Sequence, residues 1–187
     1  MKRLIKVSLS LVLALVFVFP AGLVVLAEEV TCRGSMGAVT VDNLRVPQNA
    51  SCKLNGTIVQ GTIKVETGAS LTASKISVIG NIQAEGAKSV TVTSSAVGGS
   101  IQIVQGGAAK IDKVQVKGDI LFDSNKRILS ATSNKVSGNV QAFQNRGGVT
   151  ISYNAIEGNL QCKENHPAPT GKKNVVHGNK EDQCAGL

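Results

Sequence analysis

The segments Val78-Ile-Gly-Asn-Ile-Gln-Ala84 and Val97-Gly-Gly-Ser-Ile-Gln-Ile103 are two copies of one pattern, with an aliphatic residue two positions before a glycine and another two positions after it. Glycines in this setting recur every 19 or 20 residues, at Gly61, Gly80, Gly99, Gly118, Gly138, Gly158 and Gly178, although the last one has lost its following aliphatic residue. Self-similarity at a fixed period of this length indicates a repeat architecture.

Within each repeat the apolar residues alternate with polar ones, as in Ile82-Gln-Ala84 and Val90-Thr-Val92, which predicts short strands between turns. Strands this short bury their apolar faces only when successive coils stack. We predict an all-β, single-stranded parallel β-helix (solenoid) of about 7–8 coils with 19–20 residues per coil. Sequential hairpins are the alternative, but they do not keep equivalent residues at a constant offset. The absence of a six-residue beat favours a right-handed coil.

The composition agrees with a narrow coil. The chain is 42% hydrophobic but only 3% aromatic, with no Trp and 20 Gly. Val, Ile and Ala fill a narrow interior at normal packing density, whereas Trp does not fit. The glycine pairs at 98–99, 106–107 and 147–148 are expected to be corner residues with positive φ.

The N-terminal segment resembles a secretory signal peptide. Three basic residues at positions 2, 3 and 6 precede an apolar run over 7–19, and Val25-Leu26-Ala27 provides a small-x-small site before Glu28. We predict residues 1–27 as the signal peptide, with cleavage between Ala27 and Glu28, and residues 28–187 as a single β-helix domain. An uncleaved membrane anchor is the alternative; a cleaved signal leaves no stable membrane insertion.

Four cysteines in an exported chain indicate disulfides. Cys32 and Cys52 are one coil apart, and Cys162 and Cys184 are about one coil apart. We therefore predict two bridges between neighbouring coils, one at each end of the rod, because the other pairings would span its length. A metal site formed by Cys162, Cys184 and His177 is the less favoured alternative, so no metal is expected.

Polar residues one and three positions after each glycine are expected to point outward together. They form a polar strip made of Asn81, Gln83, Ser100, Gln102, Asp119, Asn139, Gln141, Asn159 and Gln161. Amides both donate and accept hydrogen bonds, as polysaccharide hydroxyls require. The strip is therefore predicted as a ligand-binding surface, and a solvated ladder that only stabilises the sheet is the alternative.

Two sets of asparagines also recur every 20 residues, namely Asn125, Asn145 and Asn165, and Asn134, Asn154 and Asn174. We expect an amide ladder or left-handed turn residues inside the corners.

The sequence offers little for catalysis. Asp119 and Asp123 are four residues apart on a strand, or ~13 Å, which exceeds the ~5–9.5 Å between glycosidase carboxylates. His166 and His177 have no nucleophile partner in the pattern. We predict no catalytic residue, no enzyme activity and no cofactor.

The formal net charge of +8 includes three residues of the signal segment, and after residue 27 only 126–127 and 172–173 are adjacent basic pairs. We therefore expect no nucleic-acid binding. Ice binding requires regular Thr or Ala rows, and the Thr positions are not expected to form one.

The Gly-x-aliphatic columns from about Asp42 to Gln183 resemble secreted right-handed parallel β-helix proteins of bacteria. They are also similar to bactofilin-like polymer-forming repeats, which carry comparable Gly-Asn-Ile and Gly-Asp-Ile steps. The resemblance implies a structural or binding module, and the bactofilin likeness implies self-association into filaments. We predict a secreted, non-catalytic module at the cell surface or envelope whose partner is an extracellular polysaccharide or another envelope component. A small carbohydrate-active enzyme and a filament-forming scaffold are the alternatives.

Overall fold

The computed structural model describes residues 28–187; the predicted signal peptide, including Ala27, lies outside the described residues. These residues form about eight coils of a parallel β-solenoid with three parallel sheets of nine, eight and eight strands. Each coil contributes one strand to each sheet, so every strand pairs with the strands three places before and after it. The predicted fold class is confirmed, and the hairpin alternative is wrong. The handedness stays a prediction.

Sheet A comprises β1 (Glu29–Thr31), β4 (Asn43–Val46), β7 (Ile63–Val65), β10 (Ile82–Glu85), β13 (Ile101–Val104), β16 (Ile120–Asp123), β19 (Val140–Phe143), β22 (Leu160–Lys163) and β25 (Lys180–Asp182). Sheet B comprises β2 (Gly34–Met36), β5 (Ser51–Asn55), β8 (Ser70–Ser74), β11 (Ser89–Thr93), β14 (Ala108–Asp112), β17 (Leu129–Thr132), β20 (Val149–Ser152) and β23 (Thr170–Lys172). Sheet C comprises β3 (Thr40–Val41), β6 (Ile58–Val59), β9 (Ser77–Val78), β12 (Ala96–Val97), β15 (Gln115–Val116), β18 (Lys135–Val136), β21 (Ala155–Ile156) and β24 (Val175–Val176).

The core is a set of aliphatic columns stacked along the rod. Ile82 pairs with Ile101, which pairs with Ile120, and all three are fully buried. Phe122 is the one aromatic side chain in the described core. Its neighbour in the next coil is Ala142, and this small residue leaves room for the ring.

The repeated glycines are required by close stacking rather than by positive φ. A Cβ on Gly138 would collide with the Asp119 carboxylate and would lie 2.8 Å from the carbonyl oxygen of Gly118. The expectation of positive φ at the glycine pairs is wrong for residues 98, 99, 106, 107 and 147, and it is right only for Gly148, whose φ is 88°.

The left-handed corners are occupied mainly by other residue types. One column, at the corner between sheets B and C, contains Lys75, Ser94, Lys113, Ser133, Tyr153 and Lys173. A second, at the corner between sheets A and B, contains Gln105, Ser124, Gln144 and Glu164. Their side chains lie at the rod's surface, and most are exposed.

The asparagine columns form buried ladders, as the amide-ladder interpretation predicts. Asn145 Oδ1 accepts hydrogen bonds from the backbone N and from Nδ2 of Asn125, at 3.0 Å each. Its own Nδ2 donates to Phe122 O at 3.0 Å and to Asn165 Oδ1 at 2.8 Å. The second column repeats this arrangement around Asn154. Each buried amide therefore satisfies the backbone of a corner that the sheets leave unpaired.

Both predicted disulfides are present. Cys32 bonds to Cys52 and Cys162 bonds to Cys184, so each bridge joins neighbouring coils near one end. The alternative metal site is excluded because both of its cysteines are in a disulfide. At the C-terminal end, Leu187 N donates to Cys184 O and the Leu187 side chain packs against the core. The last residues thus cover part of the terminal coil.

Candidate functional site

The predicted polar strip divides into two columns with different surroundings. We expected the residues one and three positions after each glycine to face outward together, and the members of both columns are at least partly exposed, but their hydrogen-bond partners differ. Sheet A strands begin two residues after the glycine, as β10 does at Ile82. The residue one position after the glycine therefore lies at the corner, and only the residue three positions after it stands on the sheet face.

The corner members are occupied by hydrogen bonds to the backbone. Asn81 Oδ1 accepts from Ser100 N at 2.8 Å, and Ser100 Oγ accepts from Asp119 N at 3.0 Å. Asp119 Oδ1 accepts from Asn139 N at 2.6 Å, and Asn139 Oδ1 accepts from Asn159 N at 2.8 Å. Asn159 Oδ1 continues the column to Asn179 N. This half of the strip stabilises the coil, as the alternative interpretation proposed.

The face members lie in strict register along sheet A. The column contains Lys64, Gln83, Gln102, Leu121, Gln141, Gln161 and Glu181. Its C-terminal part is internally bonded, because Gln141 Nε2 donates to Gln161 Oε1 at 2.8 Å and Gln161 Nε2 donates to Glu181 Oε2 at 2.7 Å. Within residues 28–187, Gln83 and Gln102 have no such side-chain partner, so their amides are free to bind a ligand.

Gln83 and Gln102 line a groove of about 580 Å³ that crosses β7, β10 and β13. Charged residues of both signs complete the groove: Lys64, Glu66 and Glu85. The groove is open to solvent, so an extended polymer can enter it without movement of the strands.

Glu66 forms part of the groove wall, and its carboxylate is held in place by two neighbours. The backbone N of Gln48 donates to Glu66 Oε2 at 2.9 Å, and Arg45 Nη1 lies 3.4 Å from Glu66 Oε1. The Gln48 N–H, followed by the Arg45 guanidinium, holds the pKa of Glu66 below its ordinary value of 4.5, against the opposing effect of desolvation. Arg45 Nε also lies 2.8 Å from Glu29 Oε1, which ties the first coil to the groove.

The other chemically active side chains do not converge. Asp119 belongs to the corner column, whereas Asp123 accepts from Ser124 Oγ at 2.9 Å. His177 Nδ1 lies 2.6 Å from Glu157 Oε2 at an exposed position. In the part of the chain that the structure describes, no three His, Cys, Asp or Glu side chains are grouped to hold a metal ion. Between Glu28 and Leu187 no helix is long and apolar enough to cross a membrane.

Sheet B carries a hydroxyl row that the sequence interpretation missed. Thr72 lies beside Thr91, and Ser130, Thr150 and Thr170 continue the same outward column. Lys110 interrupts the column between Thr91 and Ser130. The column is therefore a broken row of hydroxyls and not a regular row of Thr, in agreement with the expectation that the Thr positions form no such row. The 19-to-20-residue spacing of these positions was the available signal.

These features define a β-solenoid repeat protein with disulfide-closed terminal coils. Comparison of the chain with protein-family models, with curated proteins and with solved structures finds no match. Disulfides form and persist in oxidising compartments, so the two bridges are consistent with an extracellular module.

Proposed function

We propose that the protein is a secreted, non-catalytic binding module of the cell surface or envelope that holds a neutral polysaccharide in the groove on sheet A. The observation that carries the proposal is the pair of free amides, Gln83 and Gln102, on adjacent coils inside that groove. Adjacent strands place the two amides ~4.8 Å apart. Each amide offers a donor and an acceptor to sugar hydroxyls.

The stacked coils make this site rigid before any ligand binds. Gln83 and Gln102 belong to β10 and β13, which are paired on both sides by parallel neighbours. Binding therefore costs little backbone ordering. Each hydrogen bond contributes about 0.5–1.5 kcal/mol, so a few of them give affinity of about millimolar or weaker.

The test compares two double variants in glycan-array and calorimetric binding with neutral polysaccharides. Gln83→Ala with Gln102→Ala should weaken binding about tenfold or more, because two to four hydrogen bonds are lost. Gln141→Ala with Gln161→Ala removes the same groups from the internally bonded part of the column and should leave binding unchanged. Equal effects of both pairs, or no binding by the native protein, would overturn the proposal.

The proposed module binds a polysaccharide without cleaving it, whereas the alternative is a small carbohydrate-active enzyme. Asp119 already accepts a backbone hydrogen bond and a side-chain hydrogen bond from Asn139. Turnover of a polymeric glycan that disappears in Asp119→Asn, while the variant stays folded, would establish the enzyme instead.

The bactofilin-like alternative requires end-to-end stacking of rods. Leu187 packs against the core, and the turn before it lies beside the coil that the Cys162–Cys184 bridge closes, which is a contact that stacking of a second rod at this face would have to displace. Sedimentation of residues 28–187 should give a monomer. Filaments that persist at micromolar concentration would favour the scaffold.

A further inference from the structure

Charge is distributed unevenly around the rod. Sheet A and its borders carry most of the acidic residues, including Glu66, Glu85, Asp123 and Glu181. Sheet B carries Lys53, Lys110 and Lys172 on its outward face, and its strands contribute one carboxylate, Asp112. The formal net charge of +8 does not reveal this separation, because it sums over all faces of the rod.

Two cationic rows border sheet B. At the corner with sheet C, the exposed left-handed column includes Lys75, Lys113 and Lys173. The second row lies at the corner with sheet A. Four successive coils place Lys88, Gly107, Lys126 and Arg146 at the equivalent position, so three of the four are basic. We call sheet B together with these two rows the basic face.

The cations of the basic face are free to bind. Among residues 28–187 the ion pairs involve Arg45 and His177, and none involves a lysine. Lys75 and Lys113 lie two coils apart, or ~9.6 Å along the rod. A shallow depression of about 600 Å³ lies between them on the sheet C side of this corner, and Ser77, Ser94 and Gln115 are among its lining residues.

The C-terminal part of this row adds an aromatic ring. Tyr153 is exposed, and the Nζ atoms of Lys172 and Lys173 lie 6.0 and 5.7 Å from its ring centroid. A ring beside two ammonium groups suits a sugar that carries an acidic substituent, because the ring packs on the sugar while the cations meet the charge.

From this arrangement we propose that the basic face is a second binding site, specific for an acidic polysaccharide with carboxylate or sulfate groups along its chain. The rows of lysines match repeated negative charge, and the Thr and Ser columns between them match sugar hydroxyls. The site is independent of the groove on sheet A, because its residues lie on another sheet and its ligand is charged.

Other polyanions fit this face less well. Single-stranded nucleic acid is held by successive stacking aromatics, whereas Tyr153 is the one exposed Tyr, Trp or Phe on the basic face. Anionic membranes are bound by surfaces that also insert an apolar face. Sheet B presents mainly Thr, Ser and Lys outward, and among residues 28–187 Ile128, directly before β17, is the one large exposed aliphatic side chain beside it.

The experiment measures binding of residues 28–187 to dextran sulfate, unmodified dextran, duplex DNA and phosphatidylglycerol vesicles. Lys75→Gln with Lys113→Gln should weaken dextran sulfate binding about fivefold or more, since two exposed ion pairs are lost. Lys163→Gln with Lys180→Gln makes the same change of charge on sheet A and should have little effect. Raising the salt from ~0.05 M to ~0.5 M should also weaken binding.

Three outcomes would overturn the proposal: no binding to dextran sulfate, equal losses in the two lysine pairs, or tighter binding to DNA or vesicles than to dextran sulfate. Circular dichroism and thermal melting confirm that each variant is folded. The Gln83→Ala/Gln102→Ala variant should bind dextran sulfate normally, so failure of the groove on sheet A and failure of the basic face are distinguishable.

Discussion

Truncation of one buried ladder amide, Asn145→Ala, should destabilise the whole rod. The Asn145 side chain is fully buried and makes four hydrogen bonds, to two groups of Asn125, to Phe122 O and to Asn165 Oδ1. After truncation Asn125 Nδ2 keeps its bond to Ile103 O, and Asn165 Oδ1 keeps its bond from the residue 145 backbone. The backbone N–H of Asn125 is left buried without a partner.

The magnitude follows from these partners. An orphaned buried donor costs about 1–3 kcal/mol, and each of the other lost hydrogen bonds costs about 0.5–1.5 kcal/mol. The free energy of unfolding should therefore fall by about 2.5–7.5 kcal/mol. Asn139→Ala is the matched control, because Asn139 also bonds to two neighbouring coils but lies half-buried at a corner. Water replaces its lost partners there, so the cost should stay below about 1 kcal/mol.

The assay is urea denaturation of residues 28–187 with the disulfides intact, followed by circular dichroism for the native protein and both variants. A change in midpoint with an unchanged slope would assign the loss to the folded state. A loss below about 1 kcal/mol for Asn145→Ala, or equal losses in both variants, would refute the reasoning, because the ladder would then be replaceable by water.

Three further changes test the stacking, the bridges and the groove. Gly138→Ala should lower the free energy of unfolding by about 1–3 kcal/mol in urea denaturation, because the added Cβ meets the preceding coil. Gly186→Ala is the control and should cost almost nothing, because open space surrounds Gly186. Equal costs would contradict close stacking. Replacing Cys162 and Cys184 by Ala should lower stability by about 3 kcal/mol and increase hydrogen exchange in the last coil first; uniform exchange would contradict a local role. The folded-state pKa of Glu66 is lowered, so its contribution is present above the unfolded pKa and is lost as pH falls through the folded pKa. Melting temperatures measured against pH should show a smaller acid loss in Glu66→Gln, and superimposable curves would contradict this.

The sequence was sufficient to predict the coil, the parallel sheets and both disulfides. The columns around Gly80 and Gly99 repeat at the coil length, and the spacing of Cys32 and Cys52 equals one coil. A period that equals the structural repeat places equivalent residues on top of each other, so pairing follows from spacing alone.

Side-chain hydrogen bonding at the corners was not predictable from the same spacing. Asn81 lies one position before β10, which begins at Ile82. Its partly exposed side chain accepts a hydrogen bond from the backbone of the next coil, a contact that the period of the sequence does not reveal. The column of glycines likewise reveals the repeat, but the sequence does not show why glycine is required there. The reason is that the preceding coil approaches too closely for a Cβ.

The division of charge between the sheets could be recognised only in the structure. Lys75 and Lys113 are far apart in the sequence, and neither belongs to a basic cluster. The fold brings them onto one corner through equivalent left-handed positions, while Glu66 and Glu85 lie on sheet A. Net charge alone does not show this.

Hydrogen exchange with mass spectrometry tests most directly whether the rod has two separate binding surfaces. With a saturating neutral polysaccharide, protection should appear in β7, β10 and β13, and with dextran sulfate it should appear in β8, β11 and β14 and at Lys113. The same footprint for both polymers, or protection confined to the ends of the rod, would contradict the account.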